Sequence, residues 1–203
     1  MLSSRKAEDL EAATAELQAA GIDARWIAAD CAKEEDIRRL ADETLERMGP
    51  IDILVNNAGA SWGAPAEDHP VSAWDKVMNL NVRGYFLLSQ QMAKKSMIAR
   101  HAGRIINVAS IAGLNGNPAF MKTIAYNTSK GAVLNFTRAL AAEWGGSNAG
   151  YGDAFFFAQD PVSLTTDITI SAPAYGATVT VGGTLVVSWT GKNLLSTDKL
   201  TAT

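Results

Sequence analysis

Tyr126 and Lys130 stand four residues apart in Ile124 to Glu143, a stretch whose apolar residues recur at helical spacing. On a helix the two side chains share a face, one turn apart. A phenol, with a reference pKa of about 10, is a poor acid or base at neutral pH. An ammonium one turn away favours the phenolate and brings that chemistry within reach. The same ammonium can donate to a sugar hydroxyl. Alone, the pair fits a half-buried tyrosine beside a solvated lysine equally well. Ser110 raises its interest, because it leaves the apolar run Ile105 to Ala109 directly and precedes Tyr126 by one loop. A hydroxyl there can hydrogen-bond a carbonyl oxygen and hold it near the phenol. Asn81 lies inside a helical pattern, where asparagine competes with backbone bonding. It suits a water-orienting role behind Lys130; Asn79 competes for that role, and an exposed helical asparagine is the plain alternative.

The elements that must position these residues alternate. Ala7 to Ala20 reads as a helix with Leu10, Ala13, Leu17 and Ala20 on one stripe, ended by Gly21. Ala24 to Ala29 reads as a short buried strand. Glu34 to Met48 is a helix with Ile37, Leu40, Ala41, Leu45 and Met48 inward, and Ile51 to Val55 is a strand. After a loop from Ala60 to Pro70 come a long helix from Ser72 to Arg100, a strand from Arg104 to Val108 and the helix of Tyr126. Strands alternating with such helices imply right-handed crossovers and a doubly wound parallel α/β sheet. Ligands bind beyond the carboxyl ends of its strands, which directs attention to Asp30, to Asn56 through Gly59, and to Ser110.

The 203 residues suffice for one domain with a real core. A net charge of −3 leaves no basic footprint for nucleic acid. No apolar run approaches the roughly 18 residues of a membrane span, and Met1 to Lys6 lacks the apolar core of a secretory signal. The single Cys31 fits a reducing cytoplasm and reads as a packing residue, not a nucleophile. His69 and His101 are too few and too far apart for a metal site.

Four motifs follow one another in order: Asn56-Asn57-Ala58-Gly59 after a strand, Asn81 before Val82-Arg83-Gly84, Ser110 before Ile111-Ala112-Gly113, and Tyr126-Asn127-Thr128-Ser129-Lys130. Together they resemble the short-chain dehydrogenase/reductase family, over about Leu2 to Gly145. The resemblance implies a Rossmann-like fold and hydride transfer between a nicotinamide and a ketone, 3-oxoacyl group or secondary alcohol. It implies a catalytic tetrad of Asn81, Ser110, Tyr126 and Lys130. It also implies that Asn57, Ala58 and Gly59 line the cofactor, that Asp30 and Cys31 lie by the adenine, and that subunits pair through the two long helices. Phe86, Met92, Phe136, Leu140 and Trp144 offer apolar surface there for core and partner. The loop from Leu114 to Thr123 exceeds the commonest family spacing, so the substrate pocket is expected to be modified.

The stretch Leu2 to Lys6 resembles the end of the family's second strand. An acidic residue there serves the 2′-hydroxyl of NAD. Here Ser4, Arg5 and Lys6 offer donors suited to a 2′-phosphate, which favours NADP, with NAD possible. A solvated helix start is the plain alternative. The resemblance begins beyond the family's glycine-rich phosphate turn. Gly146, Gly150 and Gly152 repeat that glycine spacing but follow a helix and read as a joint.

Near Gly145 the composition changes, which divides the chain into 1–145 and 146–203. Ile168 to Ile170, Thr178 to Val181 and Leu185 to Trp189 read as hairpin strands, not as βαβ units. They weakly resemble β-sandwich modules of secreted cell-wall proteins. The family's last strands are therefore expected to be missing. The tail is expected either to dock on the open sheet through Val179, Val181, Leu185 and Val187 or to stay partly unordered. These features support a second expectation, a truncated or fused product without reductase activity that serves as a binding or scaffold protein.

Overall fold

The computed structural model describes residues 1–144 and the strand at 154–158. β1 (Leu2–Ser4) and β2 (Trp26–Ala28) pair in parallel through the crossover helix α1 (Ala7–Ala19), with Ser3 opposite Ile27. α2 (Glu34–Met48) leads to β3 (Ile53–Asn56), which pairs in parallel with β4 (Arg104–Ala109), Asn56 opposite Asn107. Between β3 and β4 runs a helical rod from Val71 to Met97. It comprises α3 (Val71–Met78), a π turn (Asn79–Arg83), α4 (Gly84–Met92) and a second π turn (Ala93–Met97). α5 (Ile124–Trp144) follows β4. The parallel α/β alternation read from the sequence is present, and strand bounds shift by one or two residues.

Two expectations need correction. Ala154–Ala158 forms β5, parallel to β4 with Asn107 opposite Phe156, so β4, α5 and β5 make a βαβ unit beyond Gly145. The signal was the five-residue apolar run Ala154-Phe155-Phe156-Phe157-Ala158. Such a run between turn residues fits a strand covered on both faces, not an alternating hairpin strand. The compositional boundary at Gly145 thus falls between α5 and β5. The glycine-rich joint and the runs from Ile168 to Trp189 lie outside the described residues. In α1, the buried stripe is Leu10 and Thr14 with Leu17 half-buried, while Ala13 and Ala20 are exposed. The helix is turned so that an i, i+4, i+7 row meets the β1–β2 ribbon.

One core joins the two ribbons. Ile27 and Ala29 pack in the same apolar cluster as Leu54, Ile105, Ile37 and Leu40 of α2, and Leu88 and Met92 of α4. Alternation along β3 and β4 sends Leu54, Asn56, Ile105 and Asn107 to this helical face, whereas Val55 points the other way and is 41% exposed. The outer edge of β2 is closed by arginines of α2. Arg39 donates to the Ala28 carbonyl at 2.8 Å and Arg47 to that of Trp26 at 3.5 Å, both held by Glu43. A cavity of about 620 Å³ lies at this capped edge between α1 and α2, and none of the tetrad residues lines it. Charged caps on an exposed edge discourage pairing with another chain.

Four buried polar side chains cross the core beneath the strand ends. Asn56 Nδ2 donates to Ser89 Oγ of α4 at 2.9 Å and to Asn107 Oδ1 at 2.8 Å. Asn107 Nδ2 donates to Thr137 Oγ1 of α5 at 3.0 Å, and that hydroxyl donates to the Val133 carbonyl at 2.8 Å. The chain is closed, so burial costs little and fixes the register of β3 on β4 against both helices. Asn107→Ala is expected to leave an Asn56 amide proton unpaired and to open a small void. The expected loss is about 2–3 kcal/mol, read from the urea midpoint. A change below about 0.5 kcal/mol would mean that the ladder does not set this register.

Candidate active site

Ser110 follows β4 and is fully buried. Its Oγ accepts from the Ala112 amide at 3.2 Å, capping a 3₁₀ turn at Ile111–Gly113. That turn rests on the backbone of α5. A Cβ at Gly113 would stand 2.5 Å from the Lys130 carbonyl carbon and 2.7 Å from the Gly131 nitrogen, so only glycine permits the approach. This contact sets the exit of β4 against the helical turn that carries Tyr126 and Lys130.

Lys130 is 3% exposed. Its ammonium donates to the Val108 carbonyl at 2.6 Å and lies between two tyrosine rings, 5.5 Å from the centroid of Tyr85 and 5.8 Å from that of Tyr126. Burial pulls its pKa down to about 8. An unfolded lysine holds its proton to about 10.5. Across that window the unfolded chain binds the proton more strongly, so this group's contribution to stability rises with pH. Tyr126 is partly exposed, and its carbonyl accepts from Ser129 Oγ at 2.7 Å.

Asn81 lies in the first π turn, where an extra residue interrupts the α-helical ladder. Its buried side chain clamps the loop after β3: Oδ1 accepts from the Ala60 amide at 2.8 Å, and Nδ2 donates to the Ala60 carbonyl and to Ser129 Oγ, both at 2.9 Å. The exposed-helix alternative is excluded. Asn79, the competitor, begins the same π turn and is exposed. A Cβ placed on Gly59 would lie 3.6 Å from Asn81 Oδ1 and 3.9 Å from Lys130 Nζ, so Gly59 sits over both. The structure thus gathers Asn81, Ser110, Tyr126 and Lys130 at the end of β4, with Asn57, Ala58 and Gly59 as an exposed rim at the end of β3.

Ser4, Arg5, Asp30 and Cys31 form a second group at the ends of β1 and β2. The Ser4 carbonyl accepts from the Ala29 amide at 2.9 Å, while Ser4 Oγ is engaged with the backbone of Lys6. Arg5 and Lys6 are exposed, and Lys6 pairs loosely with Asp9 at 3.8 Å. Asp30 Oδ1 accepts from the Ala32 amide at 3.1 Å. Cys31 packs against the core, and burial, then Asp30 and Asp36, raise its thiol pKa, which suits packing and not nucleophilic attack. Its carbonyl would lie 2.4 Å from a Cβ at Gly84, a close approach that joins this group to the start of α4.

The loop after β3 and the loop that precedes α5 meet near the start of that helix. The Ala64 amide donates to the Lys122 carbonyl at 2.8 Å, and a cavity of about 340 Å³ opens between the loops, lined in part by Pro65, Asn117, Met121 and Ile124. Asn117, Thr123 and Asn127 hydrogen-bond one another at 2.9 to 3.1 Å, ordering the longer loop. Trp62, Ile111, Leu114, Phe120 and Ile124 all stand exposed in these segments, and Ile124 lines the cavity.

The model of the short chain dehydrogenase family matches residues 1–149. The chain belongs to that family. It is similar to a rhamnolipids biosynthesis 3-oxoacyl-[acyl-carrier-protein] reductase of Pseudomonas aeruginosa, 42% identical over 147 residues, covering 70% of this chain and 56% of that protein. Among solved structures it resembles an NAD+-bound xylitol dehydrogenase (TM-score 0.67, 35% identity, 71% of this chain and 54% of the other). It also resembles an actinorhodin polyketide ketoreductase with NADPH (TM-score 0.70, 33% identity, 75% and 57%). The chain spans about half the length of the curated relatives it matches. For this short-chain dehydrogenase chain, sequence reasoning missed Tyr85, Ser129 and the polar ladder. Ser129 was visible inside the tyrosine–lysine motif, but its partner lies 48 positions away. Gly113→Ala is expected to lower stability by about 1–3 kcal/mol or more, because backbone must yield. Gly116→Ala, whose Cβ meets nothing within 4 Å, is expected to be near neutral. Equal thermal midpoints for the two variants would remove the proposed Gly113 contact.

Proposed function

We propose that the chain carries the proton-transfer half of an NAD(P)-dependent oxidoreductase, acting on a ketone or 3-oxoacyl group or on the corresponding secondary alcohol. The observation that carries it is the buried Lys130 ammonium 5.8 Å from the Tyr126 ring, with the turn that follows Ser110 held through Gly113 against the same helix. The donor set suits a dinucleotide's ribose and nicotinamide end. The exposed Asn57–Gly59 rim borders the Lys130 ammonium, and Ser4 and Arg5 add donors favouring NADP over NAD at the other end of the row. A bound nicotinamide supplies or accepts the hydride. Tyr126 gives its phenolic proton to the carbonyl oxygen in reduction and takes the alcohol proton in oxidation. Lys130 favours the phenolate electrostatically. Ser110 orients the oxygen with its hydroxyl. Asn81 acts as a positioning residue, its side chain fixing the Ala60 loop and Ser129 beside Lys130. The exposed apolar side chains of the two loops, Trp62, Leu114 and Phe120 among them, suit an alkyl or acyl substituent on the carbonyl.

A homo-oligomer through the outer faces of α4 and α5 belongs to the same proposal. Phe86 is exposed and meets Phe136 edge-on at 6.5 Å, whereas Met92 and Leu140 are spent on the core and Trp144 packs against it. Light scattering at micromolar concentration is expected to show a dimer or larger; a monomer would remove this part.

Tyr126→Phe is expected to cut turnover of a 3-oxoacyl thioester by at least about 10²-fold while leaving the circular dichroism spectrum unchanged. Retention of most of the rate would reassign the acid. Titration with NADPH, followed by tryptophan fluorescence, is expected to saturate. A folded chain that binds no dinucleotide would favour the binding or scaffold alternative.

A further inference from the structure

Lys130 is a cation in a nearly closed site, and its surroundings are unusual in charge. Among the described residues no carboxylate forms an ion pair with it. An ammonium buried without an anion loses most of its hydration, and its remaining stabilisation must come from dipoles and ring faces. The Val108 carbonyl supplies one dipole, at 2.6 Å. Tyr126 supplies one ring, but that ring carries the proposed acid and is only partly buried. The other ring belongs to Tyr85 of α4. It is 2% exposed, its centroid is 5.5 Å from Nζ, and its hydroxyl donates to the same Val108 carbonyl at 3.3 Å. Tyr85 is held from behind by the close packing of Gly84 on the Cys31 carbonyl.

We infer that Tyr85 is a positioning residue for Lys130: its ring supports the ammonium so that the cation stays charged beside Tyr126, and its hydroxyl anchors that ring on the Val108 carbonyl. The inference rests on the proposed role of the Tyr126–Lys130 pair. The titratable groups facing Lys130 are Tyr126 from its own helix and Tyr85 from α4; Cys31 faces Tyr85 from the loop after β2. Burial, then Tyr126 and Cys31, push the Tyr85 phenol up, so it stays a neutral donor while Lys130 titrates. The ring and the hydroxyl do separable work. The ring face lowers the energy of the charged lysine, whereas the hydroxyl competes with the ammonium for one carbonyl.

Tyr85→Leu removes the ring and the hydroxyl at similar bulk; Tyr85→Phe removes the hydroxyl alone. In the full chain, ¹⁵N NMR titration of the Lys130 ammonium is expected to show its midpoint falling by about one pH unit in the leucine variant. The phenylalanine variant should stay within about 0.3 units of the parent, or rise. Alcohol oxidation should follow, with the acidic limb of its pH–rate profile moving to higher pH for leucine only and KM unchanged. A purely structural role would weaken both variants without moving either midpoint. An unchanged or raised Lys130 midpoint in the leucine variant would overturn the inference, as would a phenylalanine variant that shifts as far as leucine. The NMR arm does not need turnover. A parent chain with the expected lysine midpoints but no activity would count against the proposed reaction and leave the Tyr85 assignment standing.

Discussion

The buried ammonium of Lys130 is the constraint around which the rest of the site is arranged. A cation that is 3% exposed and has no carboxylate partner among the described residues is stable only if its surroundings are fixed. A carbonyl dipole helps only at hydrogen-bond distance, and a ring face only within about 6 Å. Val108 must therefore present its carbonyl sideways at one point on β4. Tyr85 and Tyr126 must approach from two different helices. β4, α4 and α5 cannot slide on one another without stranding the charge. Burial still pulls the lysine's pKa down to about 8 with these contacts in place.

Neutral polar contacts carry out that fixing. The ladder Ser89, Asn56, Asn107, Thr137 ties α4, β3, β4 and α5 in one line beneath the strand ends. Asn81 ties the loop after β3 to Ser129, one residue before Lys130. Both are closed hydrogen-bond sets in a dry interior, where a slipped register would leave several polar groups unpaired. Apolar packing alone would tolerate a shift of a side chain or two; these contacts do not. The Gly113–Lys130 and Gly84–Cys31 approaches add the steric half of the same restriction.

Much of this was legible in the chain. The helical spacing around α2 and the apolar runs at β3 and β4 gave the alternation, and the pairing of Tyr126 with Lys130 follows from a four-residue interval on any helix. What escaped was of two kinds. The stripe of α1 was assigned to Ala13 instead of Thr14, because an alanine and a threonine are separated by context, not by periodicity. β5 was missed because the change in composition after Gly145 outweighed a five-residue apolar run, and a short run has no period to measure. Asn81 stands out in the sequence as a poor helix former inside a helical pattern. Its partner, Ala60, is a backbone group, and sequence carries no mark of a backbone partner 21 positions away.

Tyr85 shows why such residues hide. In sequence it is one aromatic in Gly84-Tyr85-Phe86-Leu87-Leu88, indistinguishable from core packing. Phe86, its neighbour, turns outward to meet Phe136, while Tyr85 turns inward to the lysine. One position of helical rotation, about 100°, separates a surface ring from a ring at the charge. That rotation is set by Gly84 resting on Cys31 and by the π turn ending at Arg83, which advances α4 by an extra residue relative to α3. The π turn therefore has two consequences from one insertion. It frees Asn81 to clamp the Ala60 loop, and it rotates the following helix so that a tyrosine, and not its neighbour, faces Lys130. Asn81 and Tyr85, four residues apart, reach Ser129 and Lys130, consecutive residues of α5, from the same rod. The site is thus organised less by its individual side chains than by the phase of one helix against another.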